Sequence, residues 1–547
     1  MDNDFQWIAV GSGAAGLASA LWAAHRRLKA VVVEKAPVVG GATAYSYGGL
    51  WAPNNMLQRA AGLDDSDEQG LTYLRFLSGG FAEEEKMQMY AKEGAATIEA
   101  FSQLGIPFRI IEGLPDHYFP GAPGSLGPGR TLEVVPLPKK ALLISAPALL
   151  DSPYMPGGVS WSDAIKWGGL GNRYSWAPEN LEHAASVYAA GQGLAAWLLL
   201  KCLEKGVTIL TQSPATRLLV EDGRVTGVEV RVRNGTQPLK GDRGIFLGTG
   251  GYESNPEFVR AYQSFPDSAP HHPPTQTGDG LLMAGELGAF IRNIPASLSS
   301  MVGYWIPRDG GEPEFHSAGI QELAYPHAIV VNSEGKRFGN EAFFQEFVVK
   351  LREFDVVKKH RYANIPFFLL FDSQFRERYP FANIPPGRPL PAWVKRADSL
   401  ADLAQQLGID ATQLQQTVAR FNDNASAGLD PDFGRGQSLW IRKAGDTKHP
   451  INPNLGPLFK APFYGVELKP TESSSAGLYT DIHGRVMHLR GHAISNLYAG
   501  GTVRVRTEYG AGYQAGLTLL GGMTFVGGMT FGRMAVEHAL LADKKPS

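Results

Sequence analysis

An α/β fold, in which one parallel-sheet domain is interrupted by an α+β domain and completed near the C-terminus, is what the sequence predicts. Three observations carry it. Near the N-terminus, Ile8-Ala9-Val10-Gly11-Ser12-Gly13-Ala14-Ala15-Gly16-Leu17 is closed by Val31-Val32-Val33-Glu34, which reads as buried strand, glycine turn, helix and a second strand ending in an acid. Farther on, Ile245-Phe246-Leu247-Gly248-Thr249-Gly250-Gly251 is another buried strand ending in glycines. Near the other end of the chain, Asn496-Leu497-Tyr498-Ala499-Gly500-Gly501 returns to strand and glycine after a long mixed segment.

The first of these is a dinucleotide-binding turn of Rossmann type. Gly11 permits the tight turn, Gly13 lets backbone approach a pyrophosphate, and Gly16 lets helix pack on strand. The pyrophosphate belongs at the helix N-terminus, where free N–H groups and the helix dipole favour an anion. Glu34 is placed to accept hydrogen bonds from a ribose, so FAD or NAD is expected rather than NADP. Gly40-Gly41-Ala42-Thr43 follows, suited to backbone lying against a phosphate or a flat ring.

Residues 83–104 alternate apolar and charged positions as a helix does. Residues 113–180 are rich in Pro, Gly and aromatics with little periodicity, and a loop region of that length is commonly functional. It is also the segment with scope for peripheral membrane contact. One amphipathic helix is expected over 181–205. Ala215-Thr216-Arg217-Leu218-Leu219-Val220 and Val225-Thr226-Gly227-Val228-Glu229-Val230 flank Asp222-Gly223 as a hairpin. Thr277-Gly278-Asp279-Gly280 opens a helix, Ala328–Asn332 is a strand, and 401–423 is helical. The expected division is a first part of the dinucleotide domain over 1–280, with 113–180 as a cap insertion, a substrate domain over 281–459, and completion of the first domain over 460–547.

The chain of 547 residues is too long for one core. A net charge of −2 without a basic tail argues against nucleic acid as a partner. No run of about 18 apolar residues predicts a membrane span, and the first strand begins too early for a signal peptide, so a cytoplasmic location is expected. Cys202 is the only cysteine, which excludes an intrachain disulfide and a multi-cysteine metal site; no metal is expected, and Cys202 reads as a buried helix residue.

Taken together with Ala215-Thr216-Arg217-Leu218, Thr249-Gly250-Gly251, the segment Asn332–Glu341 and Leu497–Gly501, these motifs resemble the FAD-binding superfamily of fumarate-reductase-type flavoproteins over most of the chain. The resemblance implies FAD, held by Gly11, Gly13, Ala14, Ala15, Gly16, Glu34, Lys35, Gly41, Ala42, Thr43, Ala215, Thr249, Gly250, Gly501, Thr502, Gly516, Leu517, Thr518 and Leu519. Within the superfamily the chain looks most like the 3-ketosteroid dehydrogenases. Pro115–Gly124 followed by Gly129-Arg130 resembles their tyrosine-bearing loop, Gly251–Glu257 their Gly-aromatic-Glu-x-Asn-Pro-Glu segment, and Tyr513–Leu519 the tyrosine and glycine that bind the 3-keto oxygen. The step from Tyr513 to Gly516 is one residue shorter than in Δ1-dehydrogenases and closer to the Δ4 form. Ala342-Phe343-Phe344-Gln345 stands where the Δ1 subfamily often offers a second active-site tyrosine. Regiochemistry stays open between Δ1 and Δ4.

The chemistry implied is dehydrogenation next to a ketone of a hydrophobic, steroid-like substrate, with an external electron acceptor. Tyr513 and the Gly516 N–H would polarise the carbonyl, each such donor being worth roughly 3–4 kcal/mol in a dry site. Tyr118 would remove the α-proton, with Tyr304 and Tyr325 in reserve. A tyrosine pKa of about 10 must be lowered or relayed for that task. The helix opened by Leu517-Thr518-Leu519 would stabilise charge on the flavin. Two alternatives remain: a fumarate-reductase-like ene-reductase acting on an unsaturated acid, or an electron-transfer subunit. The His-Gly-x-Asn-Arg stretch of fumarate reductases is missing, and Val503-Arg504-Val505-Arg506-Thr507-Glu508-Tyr509 occupies its place. Arg504 and Arg506 there could bind an acid, and surface or interdomain pairing is the stronger expectation for both. The near repeat across Gly521–Gly532 reads as helix packing through glycine.

Overall fold

A computed structural model of the chain describes residues 3–542 apart from 117–120, 143–145, 154–156, 234, 266–267, 295–299, 309, 319–321, 344–348 and 509–521. The first sheet starts with β1 (Asp4–Val10), β2 (Ala30–Val33) and β3 (Thr208–Leu210), and gains β4 (Ala215–Glu221), β5 (Arg224–Val232) and β6 (Gly235–Leu247). Strands β3, β2, β1 and β6 lie side by side and parallel. Every residue of Ala30-Val31-Val32-Val33 is buried, as a parallel strand covered on both faces requires. Strands β4, β5 and β6 form the antiparallel arm, turning at Asp222-Gly223 as the hairpin signal predicts.

The second sheet is antiparallel. It comprises β7 (Ser300–Ile306), β8 (Glu314–Ser317), β9 (Ala328–Asn332), β10 (Phe367–Phe371), β11 (Lys395–Ala397) and β12 (Phe463–Glu472). Its order is β8-β7-β12-β10-β9, with β11 also on β12. Strand β12 starts beyond the expected 459/460 division yet hydrogen-bonds entirely within this sheet. The chain then returns to the first sheet through β13 (Arg485–Met487) and β14 (Ala493–Ala499), and β14 pairs parallel with β6 through Leu247 and Ala499. The dinucleotide domain is therefore interrupted and completed as the terminal glycine motifs predict.

Helix α1 (Ala14–His25) is clamped between the sheet and the C-terminal helix α8 (Gly522–Ala542). The glycines of α8 permit the approach: a Cβ on Gly532 would stand 3.0 Å from the Ser19 nitrogen, and one on Gly528 would stand 3.1 Å from the Ala15 Cβ. Helix α2 (Glu84–Gln103) forms where predicted. The single helix expected over 181–205 is instead α3 (Pro178–Ser186) and α4 (Ala190–Glu204). Between them Val187-Tyr188 pairs with Leu137-Pro138, a strand contact that overrides helical periodicity. Helix α5 (Asp279–Gly285) opens at the Thr277–Gly280 motif. The helices expected over 401–423 are α6 (Leu400–Leu407) and α7 (Ala411–Ala425), parted where Gly408 ends α6 in the left-handed region at φ +69°. The 113–180 region holds more regular structure than its composition suggests, including the strand Thr131–Val134 and the helix Trp161–Lys166. Cys202 is fully buried in α4 and points its Sγ at the Leu17 carbonyl, 3.4 Å away. No described helix is long and apolar enough to cross a membrane.

Candidate active site

Four parallel strands deliver their carboxyl ends to one cleft. Val10, Val33, Leu247 and Ala499 lie in register across β2, β1, β6 and β14, so the residues just beyond them meet. The cleft holds about 950 Å³ of empty space, its open mouth included. Its walls bring together Gly11, Gly13, Ala14, Ala15, Glu34, Lys35, Gly41, Ala42, Thr43, Ala215, Thr249, Gly250, Gly501 and Thr502. Gly16 stands just behind the wall. A Cβ there would lie 1.9 Å from the Gly11 carbonyl oxygen, so close packing of helix on turn demands this glycine.

Local bonding holds the turn for a ligand. Glu34 accepts the Ser12 N–H at 3.0 Å, the Ser12 hydroxyl at 2.6 Å and the Ala36 N–H at 2.8 Å. Its carboxylate thereby ties the first turn to the second strand, and lone pairs remain on its two oxygens for a ribose. Thr43 Oγ1 accepts the Ala14 N–H at 2.9 Å, and the N-cap residue Gly13 offers no side-chain cap, which leaves first-turn donors of α1 for an anion. Lys35 reaches across to α5, donating to Asp279 and to Thr277 Oγ1, both at 2.7 Å.

Two observations show that these residues fit FAD. Thr249 Oγ1 is buried in the cleft wall without any hydrogen-bond partner, a group that a polar ligand would satisfy. A Cβ on Gly13 would meet only Thr43 Oγ1, at 3.5 Å. Protein packing does not demand that glycine, and the open space beside it suits the close approach of a pyrophosphate.

The catalytic candidates Tyr118, Tyr513 and Gly516, with Leu517, Thr518 and Leu519, lie outside the described residues. The base of the Tyr118 loop is described. Arg130, fully buried, donates through Nη1 to Asp116 at 2.7 Å and through Nη2 to Asp65 at 2.7 Å. The Trp51 indole N–H and the Leu126 N–H also donate to Asp116, at 2.8 and 2.7 Å. Burial pushes the Asp116 carboxyl up to about 6, against the pull of Arg130.

Both reserve tyrosines belong to the core of the second domain. Tyr304 donates to the Glu322 carboxylate at 2.8–2.9 Å and is 1% exposed, and its burial beside that carboxylate raises its pKa far above the ordinary value. Tyr325 is stacked on Tyr379 at 4.7 Å, and burial raises its pKa too. Neither lines the cleft, and a base needs the opposite shift, so the reserve role is withdrawn. The surface reading of Arg504 and Arg506 is also corrected, since both are buried. Arg504 is bonded to Glu508 at 2.9 and 3.2 Å and to Thr480 at 3.0 Å. Arg506 donates to the Ser474 carbonyl, where the two domains meet.

Sequence reasoning missed Ser12, Gln276, Thr524 and Phe525 as wall residues. A signal existed for Ser12, set between the fingerprint glycines, and for Gln276, beside Thr277–Gly280. Thr524 and Phe525 enter through the packing of α8 on α1, which no local pattern reports.

Comparison with known proteins agrees with this geometry. The family described as FAD binding domain matches residues 6–522. The 3-oxosteroid 1-dehydrogenase of Mycolicibacterium smegmatis is 33% identical over 549 residues, covering 92% of each chain. The 4-oxocyclohexanecarboxylate 2-dehydrogenase of Sinomonas cyclohexanicum is 31% identical, over 94% of this chain and 90% of that one. Among solved structures, a 3-ketosteroid delta1-dehydrogenase from Sterolibacterium denitrificans in complex with 1,4-androstadiene-3,17-dione matches at a TM-score of 0.86 and 28% identity, covering 99% of this chain and all of that one.

Proposed function

The chain belongs to the FAD-binding family of fumarate-reductase-type flavoproteins and is an FAD-dependent oxidoreductase acting on CH–CH groups; from that premise we propose that it introduces a C=C bond next to the ketone of a steroid-like ring. The observation that carries this reading is 33% identity to a 3-oxosteroid 1-dehydrogenase across nine-tenths of both chains. In that relative's name, and in the name of the cyclohexanecarboxylate relative, the numbered carbon lies two positions from the oxo carbon. That supports abstraction of a proton α to the ketone and of a hydride from the β carbon. It also favours Δ1 over Δ4 regiochemistry.

Gly11, Gly13, the first turn of α1, Glu34 and Thr249 hold the cofactor. Bound oxidised FAD supplies the hydride acceptor for the β hydrogen. Tyr513 and the Gly516 N–H donate hydrogen bonds to the carbonyl oxygen as it gains enolate character. Tyr118 takes the α-proton, a role worth about 10²–10⁴-fold. Asp116 and Arg130 fix the base of the loop that carries it. Each turnover leaves two electrons on the protein, so an external acceptor must remove them.

The test is anaerobic mixing of the yellow, oxidised protein with 3-oxosteroids, smaller ring ketones, succinate and fumarate. Ring ketones are expected to bleach the flavin while succinate does not. Replacing Tyr513 by Phe is expected to lower turnover roughly 10²-fold with FAD retained. Tyr118→Phe should lower it as far or farther and suppress exchange of the α-hydrogen with solvent. Wild-type turnover in both variants would move the site elsewhere, and efficient fumarate reduction by the reduced protein would favour the ene-reductase reading.

A further inference from the structure

A second pocket opens where the first residues of β5, β13 and β14 meet the last turns of α8. It holds about 680 Å³ of empty space, its mouth included, and shares no wall residue with the FAD cleft. Helix α8 reaches both places, with Thr524 and Phe525 in the cleft and His538 and Ala539 in the pocket. The rise of a helix sets Phe525 and His538 roughly 20 Å apart. Both sites can therefore be filled at once.

Arg224, Arg243 and Arg485 line this pocket, and no carboxylate does among the described residues. Arg224 is held in place through one arm. Its Nη2 donates to the Asp242 carbonyl at 2.7 Å and to Asn496 Oδ1 at 3.0 Å. Asn496 is itself buried, and its Nδ2 is fixed on the Val225 and Gly241 carbonyls at 2.7 and 3.1 Å. It holds φ +67°, a conformation that costs local strain in any residue but glycine. The strained asparagine thus anchors a guanidinium that has no described carboxylate within ion-pair range. Arg485 donates through Nε to Asp481 at 2.6 Å, and Asp242 stands 3.9 Å from the Arg243 Nε. Both carboxylates lie outside the lining, which leaves positive charge in excess on the wall. Tyr498 is bonded to His538 Nδ1 at 3.1 Å on the same wall. Burial pushes the Tyr498 hydroxyl up to about 12, against the pull of Arg485 and Arg224, so both cations bear on one point of the pocket.

Guanidinium forks match phosphate and carboxylate oxygens, and several around one pocket favour the higher charge of a phosphate dianion. Bare phosphate would leave most of the space empty. Ala493, Ile494 and Ala539, with the Tyr498 and His538 rings, supply apolar wall for an organic group. We propose that this pocket binds a phosphate monoester, its phosphate on the three arginines and its organic group against Ile494 and Tyr498. The proposal is independent of the dehydrogenase reading, and the site takes no part in that reaction.

The test is calorimetric titration of the FAD-loaded protein with phenyl phosphate, inorganic phosphate and phenol at about 0.15 M ionic strength. Phenyl phosphate should saturate one site with a Kd of about 1 mM or tighter. Inorganic phosphate should compete more weakly, and phenol should not compete. Arg224→Gln and Arg485→Gln should each weaken phenyl phosphate roughly tenfold while keeping the flavin spectrum. The lysine variants should recover part of the loss. Because lipid headgroups also carry phosphate monoesters, a second arm sediments the protein with phosphatidylcholine vesicles containing phosphatidic acid. Sedimentation that the double glutamine variant loses keeps the site and makes a headgroup its source; titration without sedimentation makes the source a free ester. A wild-type protein that neither titrates with phenyl phosphate nor sediments overturns the proposal, and that result needs no variant to fold. Undiminished affinity in the double variant also overturns it, as does release of FAD by the probe, which would place the phosphate in the cleft.

Discussion

Gly11, Gly13 and Gly16 share one turn but answer to different constraints. Gly11 has φ +102°, and a Cβ there would stand 2.3 Å from the Gly248 carbonyl oxygen; Gly16 is barred by the Gly11 carbonyl oxygen. Only Gly13 has room on the protein side. Gly13→Val should therefore fold with near-native circular dichroism and emerge colourless, whereas Gly16→Val should fail to accumulate as folded protein. Yellow Gly13→Val at full flavin stoichiometry would contradict the cofactor placement. Asp116 yields a second prediction at this scale. Its folded pKa of about 6 lies above the unfolded value of about 3.9, so the native state holds the extra proton between them. This site's contribution to stability is then fully present below about pH 4 and is lost as pH rises through about 6. Asp65 is shifted the other way, with Arg130 lowering its pKa against desolvation. The wild-type profile is therefore a sum, and the difference from Asp116→Asn isolates one site. That variant should lose the acid-side gain and, with Arg130 still held by Asp65, cost less than the roughly 3–5 kcal/mol of a fully broken buried pair. Parallel melting-temperature profiles from pH 4 to 7 would refute the assignment.

Among the elements, α8 decides the most. Its glycines let it lie on α1, and α1 in turn presents its N-terminus to the cleft. Gly532→Leu would force the side chain against Ser19 and the Ala15 carbonyl, since even a Cβ stands 3.0–3.1 Å from them. Overpacking of this kind costs about 1–3 kcal/mol. The expected result is a lower melting temperature together with weaker FAD retention, read by flavin absorbance after gel filtration. A loss of stability with unchanged FAD affinity would mean that α8 does not position α1. The split between α3 and α4 carries a related lesson. The 181–205 run is helical in composition, and the break at Val187-Tyr188 exists only because Leu137-Pro138 is there to pair with it.

Across the whole molecule, the cleft joins parts of the chain that are remote in sequence: β1 and β2, then β6, then β14 and the start of α8. Binding FAD must therefore stabilise the first domain as a unit, by about 2.7 kcal/mol at a free concentration 100 times its Kd. Stripping the flavin should lower the melting temperature, and titrating it back should restore it with one cooperative transition for that domain. A melting temperature indifferent to FAD would mean that the cleft is not the site.

The sequence by itself determined the strand–turn–helix fingerprint, the acid at the end of β2, the hairpin at Asp222-Gly223, and the interrupted domain whose last strand lies near the C-terminus. These are local matters of periodicity, glycine freedom and turn chemistry, written within windows of a few residues. Only the tertiary structure decided that Thr249 would be left without a partner, that Tyr304 and Tyr325 would be sealed in the second domain, and that β12 would belong to the second sheet. It alone also separated two arginines that look alike in sequence, matching Arg504 with Glu508 and leaving an arm of Arg506 unbonded. Burial and pairing depend on which distant segments arrive at a residue, and no window of sequence around an arginine or a tyrosine contains that information.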